Sequence, residues 1–228
     1  MPETPINKII CGDALTELKK LESESVDCVI TDPPYNIKLN ECYYSNHKRK
    51  HYSEYIDKPV DYQSIMTEVI RVLKNNSHFY LFSGYTEIHK WIAEGVRGLV
   101  LKGILCWDKK WTGWIAGAYG YKYKPQLELI CFFSKGKRKL NNPEISDVLT
   151  DKRPRGINHP CSKPLGILRT LIEQSTNKGD LVLDIFGGSG STAVACKETK
   201  RNYLLIELNP QYVEKANNRI FNTMETFF

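Results

Sequence analysis

A chain of 228 residues, 41% hydrophobic and 25% charged, is long enough for one substantial core, and its composition excludes disordered and fibrous classes. Its apolar runs fall short of the ~20 residues that span a bilayer, and residues 1–8 lack the charged-then-apolar pattern of a secretory leader, so a single domain over 1–228 in the cytoplasm, with no membrane association, is expected. The net charge of +6 suits a polyanionic partner, and seven scattered cysteines without a C-x-x-C pair read as reduced thiols.

Lys8 to Cys11 is the first strand-like run, and Asp13 can cap a helix reaching Leu21, because a short acidic side chain satisfies the orphan N–H groups of a helix start. Val26 to Thr31 is an apolar strand that runs directly into Asp32-Pro33-Pro34-Tyr35. The two prolines fix φ, remove two backbone donors and hold the chain extended. The result is an acceptor-rich corner: Asp32 and the Pro33 carbonyl can both accept from one NH₂ group, and Tyr35 offers a flat face for an aromatic ring. The bland alternative is a plain proline turn ending a strand.

Residues 36–59 carry Tyr43, Tyr44, Lys48, Arg49, Lys50 and Tyr52, a mixture of charge and aromatics suited to phosphates and bases. Cys42, His47 and His51 have a spacing that could hold zinc but lack a clear fourth ligand, so no metal is expected. Asp61 can cap a helix through Leu73, and strands follow at His78 to Phe82 and Ile104 to Trp107. The stretch 109–124, with Lys109, Lys110, Tyr121, Lys122 and Lys124 among tryptophans and glycines, reads as a second DNA-contacting loop, whereas any single lysine is equally a solvated surface residue. Leu127 to Phe133 is a further strand, and 135–163 resists assignment.

Pro164 opens a helix from Leu165 to Gln174, since a missing N–H costs nothing there. Leu181 to Ile185 is a buried strand that enters Phe186-Gly187-Gly188-Ser189-Gly190, followed by a helix from Ser191 to Thr199. Glycines permit a tight turn and close approach of backbone to a ligand. The strand Tyr203 to Ile206 ends at Glu207, where a carboxylate can accept from both hydroxyls of a ribose, and a helix from Pro210 to Ile220 closes the chain. A glycine turn by itself is often only a connection. Paired with Glu207 it describes a nucleoside site, and the absence of G-x-G-x-x-G spacing argues against a dinucleotide. Strands alternating with helices predict an α/β fold with a mostly parallel sheet.

With these motifs in this order, the sequence resembles the amino-group DNA methyltransferases of the permuted, beta-class arrangement, in which the D-P-P-Y element precedes the cofactor glycines. Cys11-Gly12-Asp13-Ala14 is similar to the family's segment ahead of the catalytic strand, and His159-Pro160-Cys161-Ser162-Lys163-Pro164 to its H-P-x-x-K-P element. Ile185 stands where the family has proline. The resemblance implies a doubly wound, Rossmann-like sheet, circularly permuted, with S-adenosylmethionine at the carboxyl ends of the strands. It implies catalytic roles for Asp32, Pro33, Pro34 and Tyr35 on a flipped base. Cofactor contacts would come from Asp13, Ala14, Asp32, His159, Lys163, Pro164, Asp184, Phe186, Gly187, Gly188, Ser189, Gly190, Ser191, Glu207, Leu208 and Asn209. Target recognition would fall at about 135–158, with Lys137, Arg138, Lys139, Arg153 and Arg155 on double-stranded DNA. The short recognition segment suggests a homodimer, and the family often works with a cognate restriction endonuclease. Asp in the first position of the tetrapeptide favours adenine N6, while cytosine N4, an RNA or protein amino group, and a catalytically inert nucleic-acid binder stay open.

Overall fold

A computed structural model describes residues 3–34, 60–110, 126–152 and 162–225. Eight strands form one sheet in the order β1-β8-β7-β2-β3-β5-β4-β6. They are β1 (Lys8–Cys11), β2 (Val26–Thr31), β3 (Leu73–Ser83), β4 (Val100–Asp108), β5 (Leu127–Lys135), β6 (Val148–Thr150), β7 (Leu181–Asp184) and β8 (Asn202–Glu207). The helices are α1 (Ala14–Leu18), α2 (Tyr62–Val72), α3 (Ile88–Gly95), α4 (Leu165–Ser175), α5 (Ser191–Glu198) and α6 (Pro210–Glu225). Among the described strands, β5 runs against its neighbours and the others pair in parallel.

Alternation within the strands makes two cores, because successive side chains point to opposite faces. On one face Leu18 of α1, Met66 and Val69 of α2 and Trp91 of α3 pack on Val29, Phe79, Leu81 and Leu183. On the other, Leu168 and Leu171 of α4, Val194 of α5 and Ile220 of α6 pack on Cys28, Ile30, Tyr80 and Val182. Helices on both faces make the sheet doubly wound, as expected. Among the described residues, no helix is long and apolar enough to cross a membrane.

Each predicted strand and helix is present. Asp13 caps α1 by accepting from the Thr16 N–H at 3.0 Å, and Asp61 caps α2 by accepting from Ser64 N–H at 3.0 Å. Pro164 sits one position earlier than a first helical residue, as the N-cap of α4, its carbonyl accepting from Leu168 N–H at 3.2 Å. Two elements escaped sequence reading. Helix α3 lacks a side-chain cap at its start, and β6 is three residues of an edge strand paired to β4, too short to show a period.

The sheet order has a switch point between β7 and β2. From β7 the chain crosses through α5 to β8 on one side, and from β2 through α2 to β3 on the other. Connections that diverge this way leave a crevice at the carboxyl ends of the strands, where ligands of open α/β sheets bind. Asp32 follows β2 and the glycine turn follows β7, so the switch point sets them side by side.

Candidate active site

The crevice is a cleft of about 270 Å³. Asp13 and Ala14 from the start of α1, Asp32 and Pro34 from the end of β2, Lys163, the segment Asp184 to Ser189 with Ser191, and Glu207, Leu208 and Asn209 all line it. Residues from five separate stretches of sequence therefore converge as the motif order implies. Pro33, Pro164 and Gly190 do not line the cleft. Tyr35 and His159 lie outside the described residues, as do Lys48, Arg49, Lys50, Tyr121, Lys122, Lys124, Arg153, Arg155 and the possible zinc ligands Cys42, His47 and His51.

The glycine turn is shaped by its own geometry as well as by any ligand. Gly188 and Gly190 adopt φ of 47° and 75°, values that side chains disfavour. A Cβ on Gly190 would lie 2.9 Å from Ala216 Cβ of α6, so the turn is pressed against a helix. Arg219, also of α6, donates to the Ser189 carbonyl at 3.2 Å and to Ser191 Oγ at 2.8 Å, and Ser162 Oγ meets Ser189 Oγ at 2.9 Å. Arg219 and Ser162 were assigned no role from the sequence. They fix the turn from behind.

Glu207 accepts from Gly188 N–H and Asn209 N–H, each at 2.8 Å. Burial raises its carboxyl above the usual range against those two bonds. Asp184, 5% exposed, accepts from Thr31 Oγ1 at 2.9 Å, Thr192 Oγ1 at 2.6 Å and Phe186 N–H at 3.1 Å. It staples β2 to β7 and α5, and burial raises it to about 6 in spite of these donors.

Asp32 is not isolated at its corner. Its Oδ2 lies 2.5 Å from Lys163 Nζ, which also lies 2.7 Å from Glu128 Oε1, and Glu128 Oε2 lies 3.0 Å from Lys109 Nζ. Burial would push Lys163 down, but Asp32 and Glu128 more than offset it and hold the ammonium above the ordinary lysine range. Glu128 was missed by sequence reading. The signal available was a lone acid in the apolar strand Leu127-Glu-Leu-Ile-Cys131.

The expected DNA contacts divide. Lys109 and Lys110 stand at the carboxyl end of β4, on the edge that carries Asp32, although Lys109 is paired with Glu128 and Lys110 with Asp108 at 3.2 Å. Lys137, Arg138 and Lys139 follow the far end of antiparallel β5, where Ser77 pairs with Lys135. Lys137 N–H donates to Asn76 Oδ1 at 2.9 Å, and the Arg138 carbonyl accepts from His78 at 3.2 Å. This trio sits at the opposite edge of the sheet from Asp32, and Arg138 Nε is buried. Residues 136–147, the first part of the expected recognition segment, return the chain from β5 to β6.

The cleft suits S-adenosylmethionine by the chemistry of its lining. Ile185, Phe186 and Leu208 supply apolar wall for a purine, Glu207 an acceptor for a ribose diol, and Asp13, Asp32, Asp61 and Asp184 an acidic surround for a sulfonium and an ammonium. A doubly wound sheet with such a cleft and an acceptor-rich corner beside it defines a methyltransferase class of site. Residues 26–218 match the DNA methylase family of N6/N4 methyltransferases, and the chain belongs to it. It is similar to the type II methyltransferase M.HpaI of Haemophilus parainfluenzae, 29% identical over 248 residues that cover 96% of this chain and 76% of the relative. The DNA adenine methyltransferase YhdJ of Escherichia coli (strain K12) is 29% identical, with 93% and 82% covered. Among solved structures, the M1.HpyAVI–SAM complex superposes with a TM-score of 0.70 at 26% identity, covering 93% of this chain and 98% of the other. The protein is an S-adenosylmethionine-dependent DNA methyltransferase.

Proposed function

We propose that the protein methylates the N6 amino group of adenine at a specific site in double-stranded DNA, with the target base flipped out of the helix into the mouth of the cleft. The observation that carries this reading is the convergence of Asp32 and Pro34 with the glycine turn and Glu207 in one cleft. An amino nitrogen inside a stacked duplex is out of reach of such a site, which is why the base has to leave the stack. When bound, S-adenosylmethionine supplies an electrophilic methyl group.

The chain's own residues do the rest. The adenine amino nitrogen is a poor nucleophile because its lone pair is delocalised into the ring. Asp32 and the Pro33 carbonyl accept hydrogen bonds from its two N–H groups, favour a pyramidal nitrogen, and place negative charge where positive charge develops; one of the two protons is released once the methyl group is attached. Tyr35 stacks on the base from the side, and Glu207, Asp13 and the glycine turn fix the cofactor so that the reacting atoms are aligned in advance. Asp at position 32, together with the resemblance to an adenine methyltransferase, favours adenine. Lys109 and Lys110, with the basic segments on either side of the corner, serve phosphates.

Tritiated methyl transfer from S-adenosylmethionine, run in parallel on duplex DNA, RNA and protein and followed by digestion of the DNA to nucleosides, tests the reading. The label is expected in N6-methyladenosine. Label confined to N4-methylcytosine reassigns the base, label in RNA or protein alone overturns the substrate class, and tight cofactor binding without transfer to any substrate would mean a binding protein. One monomer grips little duplex, so a homodimer belongs to the same proposal, and light scattering that finds a fully active monomer would remove it.

A further inference from the structure

Glu128 has no part in the mechanism above, yet it is held with care. It is a carboxylate in a strand between two others, with neighbours Ile130, Cys131 and Phe133 fully buried. A charge removed from water is costly unless it is paired, and Glu128 is paired on both sides. Its Oε1 is 2.7 Å from Lys163 Nζ and its Oε2 is 3.0 Å from Lys109 Nζ. Lys163, 8% exposed, in turn reaches Asp32 Oδ2 at 2.5 Å. Charges from four segments thus alternate in sign from β4 through β5 and the start of α4 to the corner after β2.

We propose that Glu128 is a positioning residue for methyl transfer, acting through Lys163 to aim and charge the Asp32 carboxylate. The inference rests on the role given to Asp32 above. Two arguments support it. A lysine ammonium is a point charge with rotatable donors on a flexible stem, so one bound to Asp32 only would follow that side chain's motion. Glu128, on a strand flanked by β3 and β4, gives the ammonium a fixed second anchor, and the Phe82 ring, 5.1 Å from Nζ, closes another side. Lys163 thereby holds Oδ2 of Asp32, a residue that lines the cleft.

The second argument is charge. Asp32 and Lys163 by themselves cancel, which makes a weak counterion for an amino group turning positive. Glu128 places a second carboxylate on Lys163, so that the ammonium is shared and does not neutralise Asp32 alone; Lys109 balances Glu128 from its other side, and Asp184 lies behind Asp32 across Thr31. Electrostatic stabilisation aimed at developing charge is worth most where water is excluded, as it is around Lys163. Asp32 faces Lys163 from the end of β2 and Glu128 from the start of β5, Lys109 stands beyond Glu128 at the end of β4, and β3 presents the Phe82 ring.

Glu128→Gln and Glu128→Asp, compared with the unaltered enzyme in single-turnover methyl transfer to duplex DNA from about pH 6 to about pH 10, test this. Thermal melts check the fold, and cofactor affinity is measured separately. Glu128→Gln is expected to lose about 10- to 100-fold in the transfer step with cofactor binding little changed. It should also acquire an alkaline limb, because a buried Lys163 with a single carboxylate partner loses its proton at lower pH. Glu128→Asp keeps the charge and shortens the reach, so it should lose rate without acquiring that limb, and it carries the test if the glutamine variant fails to fold. A Glu128→Gln enzyme within about twofold of the unaltered rate, or a loss expressed entirely as weaker cofactor or DNA binding, would overturn the proposal. Asp32→Ala measured alongside separates the two levels. If it stays active, the Asp32 reading fails; if it is inactive while Glu128→Gln runs at full rate, only the positioning inference fails.

Discussion

The two edges of the sheet both bury polar networks, and they do so in opposite styles. At the carboxyl edge the partners are ions: Asp32, Lys163, Glu128 and Lys109 alternate within 2.5 to 3.0 Å of one another. At the far edge the network around Ser175 is neutral, although Lys74 pairs with Asp27 at 2.8 Å nearby. Ser175 Oγ lies 2.8 Å from both His78 Nδ1 and the Tyr80 hydroxyl, and His78 Nε2 lies 3.2 Å from the Arg138 carbonyl. A carbonyl can only accept, so Nε2 carries the proton, Nδ1 accepts from Ser175, and Tyr80 donates to Ser175. Burial pushes His78 down to about 4 and keeps it uncharged in this chain. Buried ion pairs are weak contributors to stability, whereas satisfied neutral hydrogen bonds contribute modestly and safely. The difference teaches that a chain of buried ions is gathered beside Asp32, whereas the network around Ser175 closes without charge.

The comparison breaks first at Asp32. Asp32→Ala should cost at least about 1000-fold in methyl transfer, more than a single lost hydrogen-bond donor costs in other transition-state sites, with circular dichroism and melting little changed; an active variant would mean that the ionic edge is not the reactive one. Glu207→Ala comes next. Loss of a carboxylate that faces the cleft and is already aligned by Gly188 and Asn209 should weaken S-adenosylmethionine binding by about 10- to 100-fold, from hydrogen bonds of about 1.5–3 kcal/mol to a charged group. Calorimetry of cofactor binding checks it, and an unchanged affinity would remove Glu207 from the cofactor site.

Sequence legibility follows the same divide. The corner, the turn and Glu207 were readable because each is a local signal: prolines after a strand, glycines after another, an acid at a strand end. Their meeting in one cleft was carried by the resemblance, and the switch point between β7 and β2 supplies its geometric reason. Glu128, Arg219 and Ser162 were not readable as site residues because each acts through a neighbour distant in sequence: Glu128 through Lys163, Arg219 and Ser162 through Ser189. That Lys137, Arg138 and Lys139 lie away from Asp32 was hidden for a related reason. A run of basic residues gives charge but not direction, and antiparallel β5 carries this run to the edge away from Asp32. Helix α3 lacked a cap signal, and β6 was shorter than any period.

Asp184 stands between the two styles, a buried acid satisfied by hydroxyls and an N–H rather than by a cation. Burial raises it from the ordinary aspartate value of 3.8 to about 6, so the folded protein binds the proton more tightly than the unfolded chain does. The resulting stabilisation is complete below about pH 4 and is lost as the pH rises through about 6. Asp184→Asn removes this titration. Stability of the unaltered protein relative to Asp184→Asn should therefore fall between those two values, by at most about 1.4 kcal/mol per pH unit, and then level off. Denaturant titrations at a series of pH values measure it, and a flat difference across that window would show that Asp184 stays ionised.

The smallest effect belongs to the neutral network, and it sharpens the contrast most cleanly. Ser175→Ala removes one hydroxyl that serves two buried partners, leaving His78 Nδ1 without its donor and the Tyr80 hydroxyl without its acceptor. Leaving buried polar groups unsatisfied costs about 1–3 kcal/mol, and that loss should appear in full in denaturant unfolding. The single-turnover rate should not move, because Ser175 ends α4 at the far side of the sheet while Lys163 precedes its start. A variant that lost rate without losing stability would mean that the two edges are coupled through α4. A variant that lost stability only would establish that the hydroxyl network holds the fold while the charged network beside Asp32 serves the reaction.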